Sequence, residues 1–232
     1  MSAAAGSVSS IYIAAPEGDT GKSTVALGVL QTLCASTARV GVFRPIARSD
    51  SDIDYILELL LEHTTVDLAY GDCIGVTYDD VHADPDAALS DIVVRYHAVA
   101  DRCDAVVVVG SDYTEIANPS ELSYNARIAA NLDAPVLLVL RGSRRTPSEI
   151  AQLAGVCANE LAGQHAHLGA VVVNRCDPHA LDEIAQALGD RTEPVWTLPE
   201  VPALVAPTMA ELQTAIGGEL YSGDPDLLQR EA

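Results

Sequence analysis

Lysine is almost missing from this chain. Of its 13 basic residues only Lys22 is a lysine, and the rest are arginines. Basic charge as a whole is scarce: 13 Lys and Arg stand against 33 Asp and Glu, for a net charge of -20. That balance excludes general affinity for nucleic acid or anionic membranes, because phosphate surfaces require basic patches. Paired cysteines are lacking as well. Cys34, Cys73, Cys103, Cys157 and Cys176 stand singly, with no Cys-x-x-Cys, and their odd number closes no disulfide framework. Free thiols in a reducing compartment are the expectation. Residues 1–10 are small and polar, without the basic and apolar regions of a secretory signal. The longest apolar runs, Ala105–Val109 and Pro135–Leu140, are too short to span a bilayer. Together these absences predict a soluble, cytoplasmic protein that meets neither membrane nor nucleic acid. No internal repeat or low-complexity stretch is present.

What is present is a large apolar fraction, 49% of 232 residues, enough for a sizeable core. The acidity is uneven. Residues 1–50 carry a net +1, and residues 51–232 carry a net -21. The first fifth of the chain is therefore spared, as an anion site requires; a solvated acidic face elsewhere is the plainer account. Short Val- and Leu-rich runs alternate with longer helical stretches. Strands are expected at Ile11–Ala14, Arg39–Phe43, Asp104–Val109, Pro135–Leu140, Leu168–Val173 and Pro194–Leu198. Helices are expected at Lys22–Ala35, Asp52–His63, Pro85–Arg102 with Asp84 as cap, Pro119–Leu132, Pro147–Ala162 with Thr146 as cap, Pro178–Leu188 and Thr208–Ile216. Leu61–Val81, broken by Gly71 and Gly75, reads as loop with a short element. Continuous rather than alternating apolar strands are buried on both faces. The fold class is α/β: a doubly wound, mostly parallel sheet with helices on both faces. One domain fits residues 1–220. Residues 221–232 read as a turn and the start of a helix at Asp226–Glu231, as in a piece of a longer protein.

After the first strand comes Ala15-Pro16-Glu17-Gly18-Asp19-Thr20-Gly21-Lys22-Ser23-Thr24, and then a helix. Gly-Lys-Ser between strand and helix is the core of a phosphate loop, or P-loop. Backbone N–H groups from Gly18, Asp19, Thr20, Gly21 and Thr24 would cradle an anion at the helix N-terminus. Lys22 would reach the outer phosphates and the Ser23 hydroxyl would ligate Mg²⁺. Pro16 stands where the strict pattern has its first glycine. A lysine is a compact point charge that fits a phosphate cradle better than an arginine fork. The plainer account is a tight strand-to-helix turn without nucleotide.

With Val42-Phe43-Arg44-Pro45-Ile46-Ala47, this loop resembles the dethiobiotin synthetase-like branch of P-loop proteins. The resemblance implies that Arg44, in place of that branch's lysine, contacts phosphate or substrate. It implies that Asn174, in Asn174-Arg175-Cys176-Asp177-Pro178, recognises a nucleotide base. It also implies an Mg²⁺ site using Ser23, Asp52 and Asp112, although Gly110-Ser111 replaces the acidic residue usual at the end of the Asp104–Val109 strand. Most of the chain further resembles the N-terminal P-loop domain of long-form bacterial phosphate acetyltransferases. The resembling stretches are Val42–Ala47, Gly75–Asp86, Ser123–Leu140, Leu198–Leu212 with Ala206-Pro207-Thr208, and Leu220–Arg230. That resemblance implies a regulatory or assembly domain that binds ATP or another nucleotide with Mg²⁺ but lacks the acetyl-transfer residues. It implies as partners the C-terminal domains of such an enzyme and further copies in a homo-oligomer.

Two other functions stay open on these residues: a free-standing ATP-dependent ligase like dethiobiotin synthetase, and a nucleotide-free scaffold that binds protein. His165 and His167 lack the further ligands a metal site needs. Arg141, Arg144 and Arg145 form a basic spot on the strand edge where doubly wound folds bind ligands, or else a solvated loop.

Overall fold

The computed structural model describes residues 8–49, 53–111, 121–204, 209–219 and 221–222. Its elements run β1 (Ser9–Ala14), α1 (Lys22–Cys34), β2 (Val40–Ala47), α2 (Tyr55–Leu61), β3 (Ile74–Thr77), α3 (Tyr78–Ala83), α4 (Pro85–Ala100), β4 (Ala105–Val109), α5 (Glu121–Asn131), β5 (Val136–Arg141), α6 (Pro147–Gly163), β6 (Leu168–Cys176), α7 (Leu181–Ala187), β7 (Val195–Pro199) and α8 (Met209–Ile216). The seven strands form one parallel sheet in the order β3-β2-β4-β1-β5-β6-β7. Strand β1 lies at its centre, where the order reverses direction, and loops at the carboxyl ends of such strands form the usual ligand crevice.

Packing explains the apolar runs. Every residue of β4 is buried, as are the first five of β5, the pattern of interior strands of a parallel sheet. Helices α1 and α2 pack together over β1, β2 and β4, whereas α4, α5, α6 and α7 pack in series across the opposite face. Helix starts follow their caps. Asp84 accepts from the Asp86 and Ala87 N–H groups, and Thr146 forms a reciprocal box with Glu149. All five cysteines are free; Cys34 is half-buried and the others are buried. Burial pushes the Cys157 and Cys176 thiols up to about 11, which keeps them protonated and inert at neutral pH. No helix among the described residues is long and apolar enough to cross a membrane.

Four expectations are corrected. Strand β2 does not end at Phe43 but continues through Arg44 and Pro45 to Ala47, pairing Arg44 with Ile74 and Ile46 with Val76. The stretch read as loop, Leu61–Val81, holds the edge strand β3 and most of α3; four residues interrupted by Gly75 are too short for a legible pattern. Helix α2 begins at Tyr55, capped by Asp54, which accepts from the Ile56 and Leu57 N–H groups. Strand β6 runs on to Cys176, so Asn174 sits within its end rather than after it. The start expected at Pro119, the segment Ala206-Pro207-Thr208 and the helix at Asp226–Glu231 lie outside the described residues.

Candidate functional site

The β1–α1 loop builds a cradle from its backbone. Asp19 (φ 57°) and Gly21 (φ 73°) both take left-handed conformations, an alternation that turns successive N–H groups toward one point. Gly21 is the N-cap of α1 and offers no side chain to the helix's first N–H groups, and the first turn carries no acid. The end of a 13-residue helix is thus open to an anion. Gly21 has a second constraint: a Cβ there would overlap the Asn174 Nδ2 group. Asn174 Nδ2 donates to Thr20 O at 2.9 Å, so the end of β6 holds the loop. Its neighbour Arg175 donates from Nη1 to Asp19 O at 2.8 Å and from Nε to Glu200 at 2.9 Å.

An open cleft of about 850 Å³ lies beside this cradle. Asp19, Thr20, Gly21, Ser23 and Thr24 line its loop side, Asn174 and Arg175 its floor, and Leu198, Val201 and Leu204 its far wall. Polar backbone on one side and apolar side chains on the other suit a ligand with an anionic end and a flat apolar end. Thr20 is buried, and its Oγ1 finds no hydrogen-bond partner among the described residues. An orphaned hydroxyl at the cradle fits a phosphate oxygen as its partner.

Lys22 and Arg44 do not line this cleft. Lys22 is 2% exposed, and its Nζ donates to Gly110 O and, at 2.9 Å, to Ser111 O. Arg44, 4% exposed, donates from Nη1 to Gly110 O at 2.6 Å and Val109 O at 3.1 Å. Its Nε meets Asp54 Oδ2 at 2.9 Å in a buried ion pair. Both cations thus converge on the carbonyls at the end of β4, behind the cradle. Position 110 cannot hold the acidic side chain of the resembling branch in this arrangement. A Cβ there would overlap Asn125 Oδ1 and the Tyr12 ring. Those two are themselves joined by a 2.6 Å hydrogen bond from Tyr12 Oη to Asn125, which also accepts from the Ser111 N–H at 3.0 Å.

The remaining expected residues divide as follows. Ser23 faces the cleft. Gly18 is half-exposed, with open space where a Cβ would stand. Asp52 and Asp112 lie outside the described residues. The basic spot has a function the sequence left undecided: Arg145 makes a two-pronged ion pair with Glu17 of the loop, one prong at 2.8 Å, and Arg141 approaches Glu17 at 3.8 Å. Hydrogen bonding from Arg145 holds the Glu17 carboxyl below its usual range. Sequence reading assigned no role to Arg175, Glu200, Val201 and Leu204, although Arg175 stands beside Asn174 in the quoted motif and the other three lie within the resembling stretch Leu198–Leu212.

The parallel sheet, its strand order and the loop-to-helix cradle together define a P-loop NTPase-like protein. The chain belongs to the AAA_26 family of AAA domains, which it matches over residues 9–208. It is 28% identical over 231 residues to a phosphate acetyltransferase from Synechocystis sp., covering 95% of this chain and 33% of that protein. It is 29% identical over 230 residues to a phosphate acetyltransferase from Nitratidesulfovibrio vulgaris, covering 92% of this chain and 32% of that protein. The chain therefore spans about a third of the length of these curated relatives. Among solved structures it resembles the septum site-determining protein MinD complexed with Mg-ADP from Pyrococcus horikoshii, with a TM-score of 0.51, 16% identity, and coverage of 85% of this chain and 84% of that one. It also resembles the signal recognition particle receptor FtsY from Elizabethkingia anophelis, with a TM-score of 0.52, 21% identity, and coverage of 83% and 59%. At these identities the structural likeness shows the fold alone.

Proposed function

We propose that this chain is the N-terminal regulatory or assembly domain of a phosphate acetyltransferase, the cytoplasmic enzyme that interconverts acetyl-CoA plus phosphate with acetyl phosphate plus CoA. In this reading the chain binds a nucleotide in the cleft beside the β1–α1 loop and does not itself transfer acetyl groups. The observation that carries the ligand is the uncapped α1 N-terminus with the orphaned Thr20 hydroxyl, facing an apolar wall. The similarity to a third of each phosphate acetyltransferase supports the parent enzyme. Ser23 would hold Mg²⁺ beside the phosphates, and that ion would neutralise their charge. Asn174 would keep the loop in its anion-binding shape and present its remaining amide atoms to the base.

A second reading, a nucleotide-free scaffold, is favoured by one observation: Lys22 is spent on the β4 carbonyls rather than directed into the cleft. Calorimetry with ATP, ADP and GTP, each with and without Mg²⁺, separates the two. A heat of binding weakened at least tenfold by Ser23→Ala and Asn174→Ala is expected. No heat with any nucleotide would establish the scaffold instead. Acetyl phosphate formation by this chain alone would refute the assignment of acetyl transfer to another domain.

A further inference from the structure

Among the described residues, the helices on one face of the sheet lie over only part of it. Among the described residues, helices α4 to α7 span the far face, and α1 and α2 pack over β1, β2 and β4 on the near face. Beyond α1, strands β5, β6 and β7 floor a groove of about 530 Å³. Val29 and Leu33 of α1 form one side, Leu137 and Val172 the floor, and Trp196 and Leu198 the other side. None of its lining residues is charged. Trp196 is the only tryptophan of the chain and is 52% exposed there. Leu137 and Val172 of the floor are buried, and the exposed apolar surface of the groove is that of Trp196 and Leu198.

A matching knob lies just downstream. In α8, Met209, Leu212 and Ile216 fall at helical spacing on one face. Met209 is exposed, and Ile216 is 79% exposed. Of the twelve large apolar side chains exposed among the described residues, seven lie between Trp196 and Tyr221. Residues 201–218 carry a single charge, Glu211, in a chain of net -20. Two copies of so acidic a chain repel each other over most of their surface. The groove and the 201–218 segment are where they can meet without opposing like charges. The chain's own helix does not fill its groove, since every lining residue comes from α1, β5, β6 or β7.

We propose that the groove between α1 and β7 receives helix Met209–Ile216 of a second copy. The exchange is two-fold, so each copy gives its helix and accepts one. Such an isologous pairing closes at two copies and covers both apolar surfaces at once. Trp196 then serves as the buried aromatic anchor of the contact. The proposal rests on the assembly part of the function given above and needs no ligand in the cleft.

The test uses the chain as it stands. As concentration rises, sedimentation should pass from monomer to dimer, and the emission of Trp196 should shift to the blue with the same midpoint. Ile216→Glu, at an exposed helical position outside the core, should keep the far-UV spectrum and weaken dimerisation at least tenfold. In a Cys34→Ser background, cysteines at Thr32 and Ile216 should form a disulfide between chains. A monomer at every concentration would overturn the proposal. So would a dimer indifferent to Ile216→Glu, or a disulfide within one chain, which would make the occupant the chain's own helix. Absence of nucleotide binding would count against the ligand reading and leave this result untouched.

Discussion

Lys22 and Arg44 donate to the same oxygen, the carbonyl of Gly110. Two buried cations share one acceptor just past the end of β4, the neighbour of the central strand β1, and Arg44 is also paired with Asp54. Neither side chain lines the cleft beside the loop.

Lys22 should therefore matter to stability as well as to any ligand. Lys22→Ala removes the charged donor to the Ser111 carbonyl and one of the two to the Gly110 carbonyl, and hydrogen bonds to charged groups contribute about 1.5–3 kcal/mol each. A loss of about 2–3 kcal/mol is expected in urea denaturation. Lys22→Arg should also destabilise, because the wider guanidinium fork does not fit a site closed by β4. Wild-type stability for both variants would contradict the buried geometry.

Breaking the Arg44–Asp54 pair should be more costly. Removing one partner of a buried ion pair strands the other charge, at about 3–5 kcal/mol. Asp54→Ala also removes the α2 cap, at about 1 kcal/mol. The double variant Arg44→Met with Asp54→Leu should lose less than the sum of the two single losses. A double-mutant cycle by chemical denaturation measures the difference.

Gly21→Ala should be costly for two separable reasons. A φ of 73° strains any residue with a Cβ by about 1–2 kcal/mol. The Cβ also meets the Asn174 amide. In an Asn174→Ala background the second cost disappears and the first remains. Equal losses in both backgrounds would show that the amide is not against the loop.

Glu17 sets a pH dependence. Its carboxyl titrates below its unfolded value because Arg145 donates to it. Its contribution is therefore fully present above the unfolded carboxylate range and is lost as pH falls through the folded value. Glu17→Gln should melt at a lower temperature than wild type at pH 7. The gap should close on acidification toward pH 3. A gap that widens in acid would reverse the sign of the coupling.

Much of the molecule could be read from residues in order. Apolar runs in β4, β5 and β6 announce buried strands because burial on both faces demands it. Asp84 and Thr146 announce helix starts because a cap satisfies donors two or three residues away. The glycines and Lys22-Ser23 announce a phosphate loop between strand and helix. All of these depend on neighbours in the chain. The edge strand β3 escaped notice because four residues carry too little pattern and their pairing with β2 comes from more than twenty residues away.

The sequence by itself determined the order of most elements, the loop's place between β1 and α1, and the acidity of the chain. Only the tertiary structure decided where the charges point. Lys22 turns inward to a carbonyl 88 positions away, Arg145 reaches 128 positions back to Glu17, and Asn174 holds the loop across 154 positions. Composition gives the sign and number of charges. Their direction depends on which backbone carbonyls and carboxylates the folded sheet brings within hydrogen-bonding distance.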